Sequence, residues 1–268
     1  HAVSEWLANN QQRRASVSHT LQSQGKVLPP RPPGFCIGCP ERPVFSAIKL
    51  AQQDIGAVHV AADIGCHAFG TFEPFGMGHT ILGYGMSLAS RAGVSPAMQR
   101  RVLSIMGDGG FWHNGLLTGV QSALFNGDDA VLVIFKNGYT SATGTQDIVS
   151  TPSERTKQQS ANPAQSLAHT NATIEQTLQG LGVKWMRTVS SYSVAQMNAT
   201  LIEAFDSPFK GLKVIVAEGE CQLERQRRLK PIRERQRAMG LRTTRVRYGV
   251  DASTCTGDHS CIRLSGCP

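Results

Sequence analysis

Three short segments, 57–62, 101–106 and 130–135, are apolar at almost every position instead of every second one. A strand with one wet face alternates; a strand covered on both faces does not. Strands of that kind belong to a parallel sheet whose crossovers lay helices over both sides. The intervening sequence suits this. An Ala- and Ser-rich helix is expected after residue 86, another over 114–126, and others near 173–180 and 193–206. Further strands are expected near 183–188 and 212–218, while 150–172, rich in Ser, Thr, Gln and Asn, reads as a long loop. The fold class is therefore α/β, a mostly parallel sheet with helices on both faces. No internal repeat is present.

The chain has 268 residues, 40% hydrophobic and 17% charged, which excludes wholesale disorder. No apolar run reaches the roughly 18 residues that a membrane-spanning helix needs. There is no signal peptide, so a cytoplasmic protein with no membrane partner is expected. The chain opens at His1 and stops at Cys267-Pro268, and is read as a piece of a longer polypeptide. Residues 1–30 are polar, without a strong period, and run into the cluster Pro29-Pro30-Arg31-Pro32-Pro33. They are expected to be a linker from a missing upstream domain. Residues 31–224 form the main domain, 225–248 a basic linker, and 249–268 the start of a further cysteine-bearing segment, expected to be poorly ordered.

The formal net charge is +8, but residues 225–247 alone carry +9, with ten Lys and Arg against Glu234. The other 245 residues sum to −1. A nucleic-acid-binding body would spread positive charge over a folded face. Here it is confined to one stretch, so no nucleic-acid partner is expected. That stretch reads as a solvated face or, more sharply, a docking surface for an acidic partner.

Chemistry concentrates at two expected strand ends. Gly107-Asp108-Gly109 closes one strand, and Asn137-Gly138-Tyr139 follows the next, with 27 residues between Gly109 and Asn137. Open parallel sheets bind ligands at the carboxyl ends of their strands. A carboxylate and a carboxamide are hard oxygen donors suited to Mg²⁺, which also takes phosphate oxygens and water. The flanking glycines let a phosphate approach the backbone.

This pattern is similar to the diphosphate–Mg²⁺ signature of thiamine-diphosphate enzymes. Arg31-Pro32-Pro33-Gly34-Phe35-Cys36-Ile37-Gly38-Cys39-Pro40 resembles the opening of the thiamine domain in 2-oxoacid:ferredoxin oxidoreductases of the indolepyruvate branch. Ala62-Asp63-Ile64-Gly65-Cys66, the run from Asn137 to Gln146 and the run from Gly257 to Pro268 match the same family. The likeness covers some nine-tenths of the chain, from Arg31 onward. It implies a thiamine-diphosphate-binding domain at 31–224 and a truncated ferredoxin-like iron–sulfur module at 249–268. It implies Mg²⁺ held by Asp108, Asn137 and the Tyr139 carbonyl. It also implies cofactor contacts from Gly107, Gly109, Thr143, Gly144, Gln146, Cys66, His67 and His79. Two departures stand out. Glu41 replaces a common His after Cys-Pro, and Thr145 replaces a common second Gly.

The activity implied is oxidative decarboxylation of an aryl 2-oxo acid of the indolepyruvate type to an acyl-coenzyme A, with electrons leaving singly through clusters to ferredoxin. The glutamate that activates the cofactor comes, in the family, from a pyrimidine-binding domain or subunit absent from this chain. The isolated chain is therefore expected to turn over no substrate and to work in a homo- or hetero-oligomer. Seven cysteines, an odd number, argue for ligation over disulfides. Cys36, Cys39, Cys66 and Cys221 are a candidate 4Fe–4S set, with four-cysteine zinc or no metal as rivals. Cys255, Cys261 and Cys267 are partial ligands of a second, ferredoxin-like cluster. Two other readings remain: a cluster-free thiamine-diphosphate decarboxylase or synthase, and a zinc-containing nucleic-acid-binding module. Trp112 and His113 are candidates to shape an aryl pocket.

Overall fold

A computed structural model describes residues 2–23, 25, 34–151, 172–244 and 249–265. It divides into two units, His1–Gly34 and Phe35–Pro268. The first holds one helix, α1 (Ala2–Ser23). The segment expected as a linker over 1–30 is thus helical over Ala2–Ser23. The segment lacks an apolar stripe, so no period betrays it, yet it has no Gly or Pro before Gly25 and is rich in Ala, Gln and Arg. Gly25, at φ +62°, follows the helix end. The proline cluster 29–33 lies outside the described residues.

The second unit opens with α2 (Glu41–Ile55), a 15-residue helix absent from the sequence reading. Then come β1 (Val60–Ala62), a 3-10 segment Cys66–Thr71, the edge strand β2 (Thr80–Ile81) and α3 (Ser87–Val94). β3 (Leu103–Gly107) runs directly into α4, a helical stretch through Asp108–Gly110, the π-helical Phe111–Gln121 and Ser122–Phe125. β4 (Ala130–Lys136), α5 (Ile174–Gly180), β5 (Trp185–Ser190), α6 (Val194–Asp206) and β6 (Leu212–Glu218) complete the sheet layer. The strand order is β2-β1-β3-β4-β6-β5, parallel throughout.

The uninterrupted apolar runs now have a cause. Val131, Val133 and Phe135 of β4 pack with α2 and α6 residues such as Phe45, Ile48, Met197 and Leu201. Leu132 and Ile134 point the other way, into a second core with Leu88, Phe111, Val120 and Ile174. Both faces of the central strand are thus dry.

The basic segment is also not a plain linker. α7 (Gln222–Ala238) continues through most of it, with Pro231 inside. Its Arg, Lys, Gln and Leu content favours a helix, and Lys230 pairs with Glu234 one turn on, at 3.9 Å. Arg245 and Arg247 lie outside the described residues. The stretch 249–265 is structured too. It carries the short helix α8 (Ser260–Arg263), and α2 grips its end: Arg42 donates to the Ser265 carbonyl at 2.7 Å and Lys49 to that of Leu264 at 3.2 Å. No described helix is long and apolar enough to cross a membrane.

Candidate functional site

β3 and β4 pair in register through Gly107 and Phe135, so the residues that follow them are neighbours. The Asp108 carboxylate stitches the two ends together. Oδ1 accepts from the Gly109 amide at 2.9 Å; Oδ2 accepts from the amides of Asn137 at 2.9 Å and Gly138 at 2.6 Å. Asp108 is fully buried, and that burial, outweighing the amide donors, pushes its carboxyl up to about 7. Asn137 donates from Nδ2 to Glu41 Oε1 at 3.1 Å, while its Oδ1 accepts from the Tyr139 amide at 3.1 Å and Ser141 Oγ at 2.9 Å.

These groups line a cavity of about 280 Å³. Its floor needs bare backbone: a Cβ on Gly109 would collide with Tyr84 Oη and Thr140 Oγ1. His67 and Cys66 line it from the turn after β1. His67 is buried, stacked on Phe135 with ring centres 5.6 Å apart, and neither ring nitrogen has a hydrogen-bond partner. Burial drives its pKa down to about 4, so it is neutral at pH 7. Glu41 is 3% exposed; burial first, and the nearby Asp108 second, push its carboxyl up to about 8.

The other expected cofactor contacts lie elsewhere. His79 accepts the Val60 amide on Nδ1 at 2.9 Å, beside His59 at the sheet edge, and does not line this cavity. Thr143, Gly144 and Gln146 sit on the exposed loop after Asn137, outside the cavity lining, with Thr143 Oγ1 bonded to Gln146 Oε1 at 2.8 Å. Thr145 occupies a left-handed backbone position, φ +64°, where glycine is the natural residue. Trp112 donates to Ser150 Oγ at 2.8 Å and His113 lies against Tyr84; neither lines the cavity.

Cys36, Cys39, Cys66 and Cys221 come together from three places in the sequence around a second cavity of about 350 Å³. The Cys39 amide bonds to the Cys36 carbonyl at 2.9 Å, and Gly38, at φ +72°, makes that turn possible. Burial pushes the Cys66 thiol up to about 12 and raises Cys39 as well. Thiols so buried near Glu41 stay protonated unless a cationic centre draws out their thiolates. Among the described residues no three His, Cys, Asp or Glu side chains converge closely enough to hold a single ion. Glu41, Cys66, Asn137 and Ser141 line both cavities and form the wall between them. Cys255 and Cys261 are exposed, and Cys267 is outside the described residues.

The family described as "Thiamine pyrophosphate enzyme, C-terminal TPP binding domain" matches residues 54–217, more than half of the chain. The chain belongs to that family. Within this thiamine pyrophosphate enzyme domain the matched span contains both strand ends, Cys66 and His67. The chain is 27% identical to the "Indolepyruvate oxidoreductase subunit IorA" of Pyrococcus horikoshii, over 91% of this chain and 36% of that protein. It is 30% identical to the subunit of the same name from Archaeoglobus fulgidus, over 75% of this chain and 30% of that one. It thus spans about a third of the curated relatives it matches. Among solved structures, a 2-oxoglutarate:ferredoxin oxidoreductase from Magnetococcus marinus, with 2-oxoglutarate, coenzyme A and succinyl-CoA bound, shares the fold. Its TM-score is 0.57 at 14% identity, over 72% of this chain and 66% of that one.

Sequence reasoning missed three residues that line the cavity of this thiamine pyrophosphate enzyme domain, Glu41, Tyr84 and Ser141, and one that is buried behind its Gly110 wall, Asp63. Glu41 had left a trace as the departure after Cys-Pro. Asp63 had left none beyond its place in Asp-Ile-Gly-Cys. It is buried, accepts the Gly85 amide at 2.6 Å and the Ile64 amide at 2.7 Å on Oδ1, and leaves Oδ2 without a partner. Burial pushes its carboxyl up to about 7. An unfolded aspartate titrates near pH ~4, so between these values the folded chain keeps a proton that the unfolded chain has released. That stabilisation is complete below pH ~4 and is lost as pH rises through about 7, with a slope of at most about 1.4 kcal/mol per pH unit. Asp63→Asn keeps an acceptor for both amides. Its denaturant-derived stability should therefore fall less steeply than wild type between pH 4 and 8, roughly the window set by these two pKa values.

Proposed function

We propose that this chain is the thiamine-diphosphate domain of an indolepyruvate-type 2-oxoacid:ferredoxin oxidoreductase, working within a larger assembly. The observation that carries the reading is one wall with a hard-oxygen site on one side and four cysteines on the other. The donor set fits the cofactor's metal. Asp108 supplies an anionic oxygen, Asn137 Oδ1 and the Tyr139 carbonyl supply neutral ones, and Gly107 and Gly109 leave room for a diphosphate. The four cysteines fit a 4Fe–4S cluster. When bound, thiamine diphosphate supplies the nucleophilic carbon and the electron sink for decarboxylating a 2-oxo acid.

This chain's own residues do the holding. Asp108 and Asn137 anchor the metal end, while neutral His67 closes the cavity without adding charge. The cysteine cavity sits behind the shared wall, so a cluster held there would neighbour the cofactor. The substrate class, the coenzyme A acceptor and the separate subunit carrying the activating glutamate rest on resemblance. The supporting experiment titrates thiamine diphosphate into the chain with Mg²⁺ and with chelator, alongside iron and sulfide analysis of anaerobically prepared protein. Mg²⁺-dependent binding and cluster iron are expected. A protein that binds the cofactor but holds no iron would support the cluster-free decarboxylase instead.

α7 suits an acidic electron carrier such as ferredoxin. It starts directly after Cys221, and Gln222 and Leu223 border the cysteine cavity. Arg233 and Arg237 lie along it, the first half-buried and the second exposed. Reversing both charges should slow ferredoxin reduction by about tenfold at low salt and leave it near wild type at about 1 M salt, where screening shortens to ~3 Å. A salt-independent loss would point away from steering.

A further inference from the structure

The geometry points to Glu41 as the positioning residue for Asn137, a role that rests on the metal-site reading above. Glu41 is the first residue of α2, and α2 is one of the best-packed helices of the fold: Val44, Phe45, Ala47, Ile48 and Ala51 are all buried. Its side chain therefore projects from a rigid post into the wall between the two cavities.

The Asn137 carboxamide is fully occupied on one side. The Tyr139 amide and the Ser141 hydroxyl both donate to Oδ1. Nδ2 must then donate elsewhere, because a buried amide nitrogen without an acceptor is unfavourable. Its recorded acceptor among the described residues is Glu41 Oε1, at 3.1 Å. That bond fixes the plane of the carboxamide and keeps its oxygen, not its nitrogen, on the Tyr139 and Ser141 side, where the rotatable Ser141 hydroxyl is the donor that an incoming metal ion would displace. Reversing the amide would set its nitrogen against the Tyr139 N–H, donor against donor. Glu41 Oε2 is buried and unpartnered, so the carboxyl is not engaged by another protein group that would explain its burial. The Nδ1 of His67, a neutral ring, stands 4.0 Å from it.

Two substitutions separate this role from a charge effect and from bulk stability. Glu41→Gln keeps the length and an acceptor but removes the ionisable carboxyl. Glu41→Asp keeps the carboxyl but withdraws it by one methylene, out of reach of Nδ2. The readout is the Mg²⁺ concentration that half-saturates thiamine diphosphate binding, with thermal melting run in parallel. Glu41→Asp should raise that concentration about tenfold or more, and Glu41→Gln should bring it back to within about threefold of wild type. A wild-type half-saturation in folded Glu41→Asp overturns the inference, as does Glu41→Gln impaired as severely as Glu41→Asp. A variant whose melting point drops while its Mg²⁺ requirement stays at the wild-type value reports only a packing role, and also overturns it. Wild-type protein that binds thiamine diphosphate without regard to Mg²⁺ removes the metal-site reading itself, and this inference with it.

Discussion

Asp108→Asn is expected to weaken Mg²⁺-dependent thiamine diphosphate binding by roughly 100-fold, equivalent to about 2.7 kcal/mol, and to leave the chain folded. The carboxylate is buried and is the anionic member of the proposed donor set, so its loss removes the charge that draws the ion in. The asparagine oxygen can still accept some of the amide hydrogens from Gly109, Asn137 and Gly138. Asp108→Ala cannot. It should add a fold defect, because each orphaned buried amide costs about 1–3 kcal/mol. Calorimetric titration with a melting curve on each variant separates the two effects. Unchanged Mg²⁺ dependence in folded Asp108→Asn would remove the site from the proposed function.

The second large effect is expected at the cysteines. Replacing Cys39 or Cys221 by serine should take iron from about four atoms per chain to nearly none, with loss of the visible absorption. Both thiols are buried and wall the same cavity, so neither can be replaced by a nearby exposed ligand. Thiamine diphosphate binding should persist, since Asp108 and Asn137 are untouched. Replacing Cys255 or Cys261, both exposed, should leave that cluster intact. Wild-type protein that holds zinc, or no metal, after anaerobic preparation would end the cluster reading.

What could be read from the residues was whatever has a period or a fixed spacing. The runs 101–106 and 130–135 announced β3 and β4 because a strand dry on both sides has no polar positions to disguise it. Asp108 and Asn137 were legible because each directly follows such a run. Cys66 and Cys221, 155 positions apart, could be grouped only because both follow expected strands. α2 was legible in principle, because its apolar residues recur at helical spacing. α1 escaped because a helix polar on every side has no period to detect. His79 was misplaced for another reason. A histidine in a glycine-rich stretch suggests a phosphate contact, but the two-residue strand β2 diverts it to the sheet edge, where the Val60 amide claims its ring nitrogen. Glu41 and Tyr84 are brought to the cavity by tertiary packing alone.

Because one layer of four side chains divides the two chambers, evolutionary latitude at positions 41, 66, 137 and 141 is narrow. A change that suits the oxygen-lined chamber is felt at once in the sulfur-lined one. Drift at these positions should therefore proceed through paired exchanges, with 67, 137 and 141 the places to look for a partner to any change at 41.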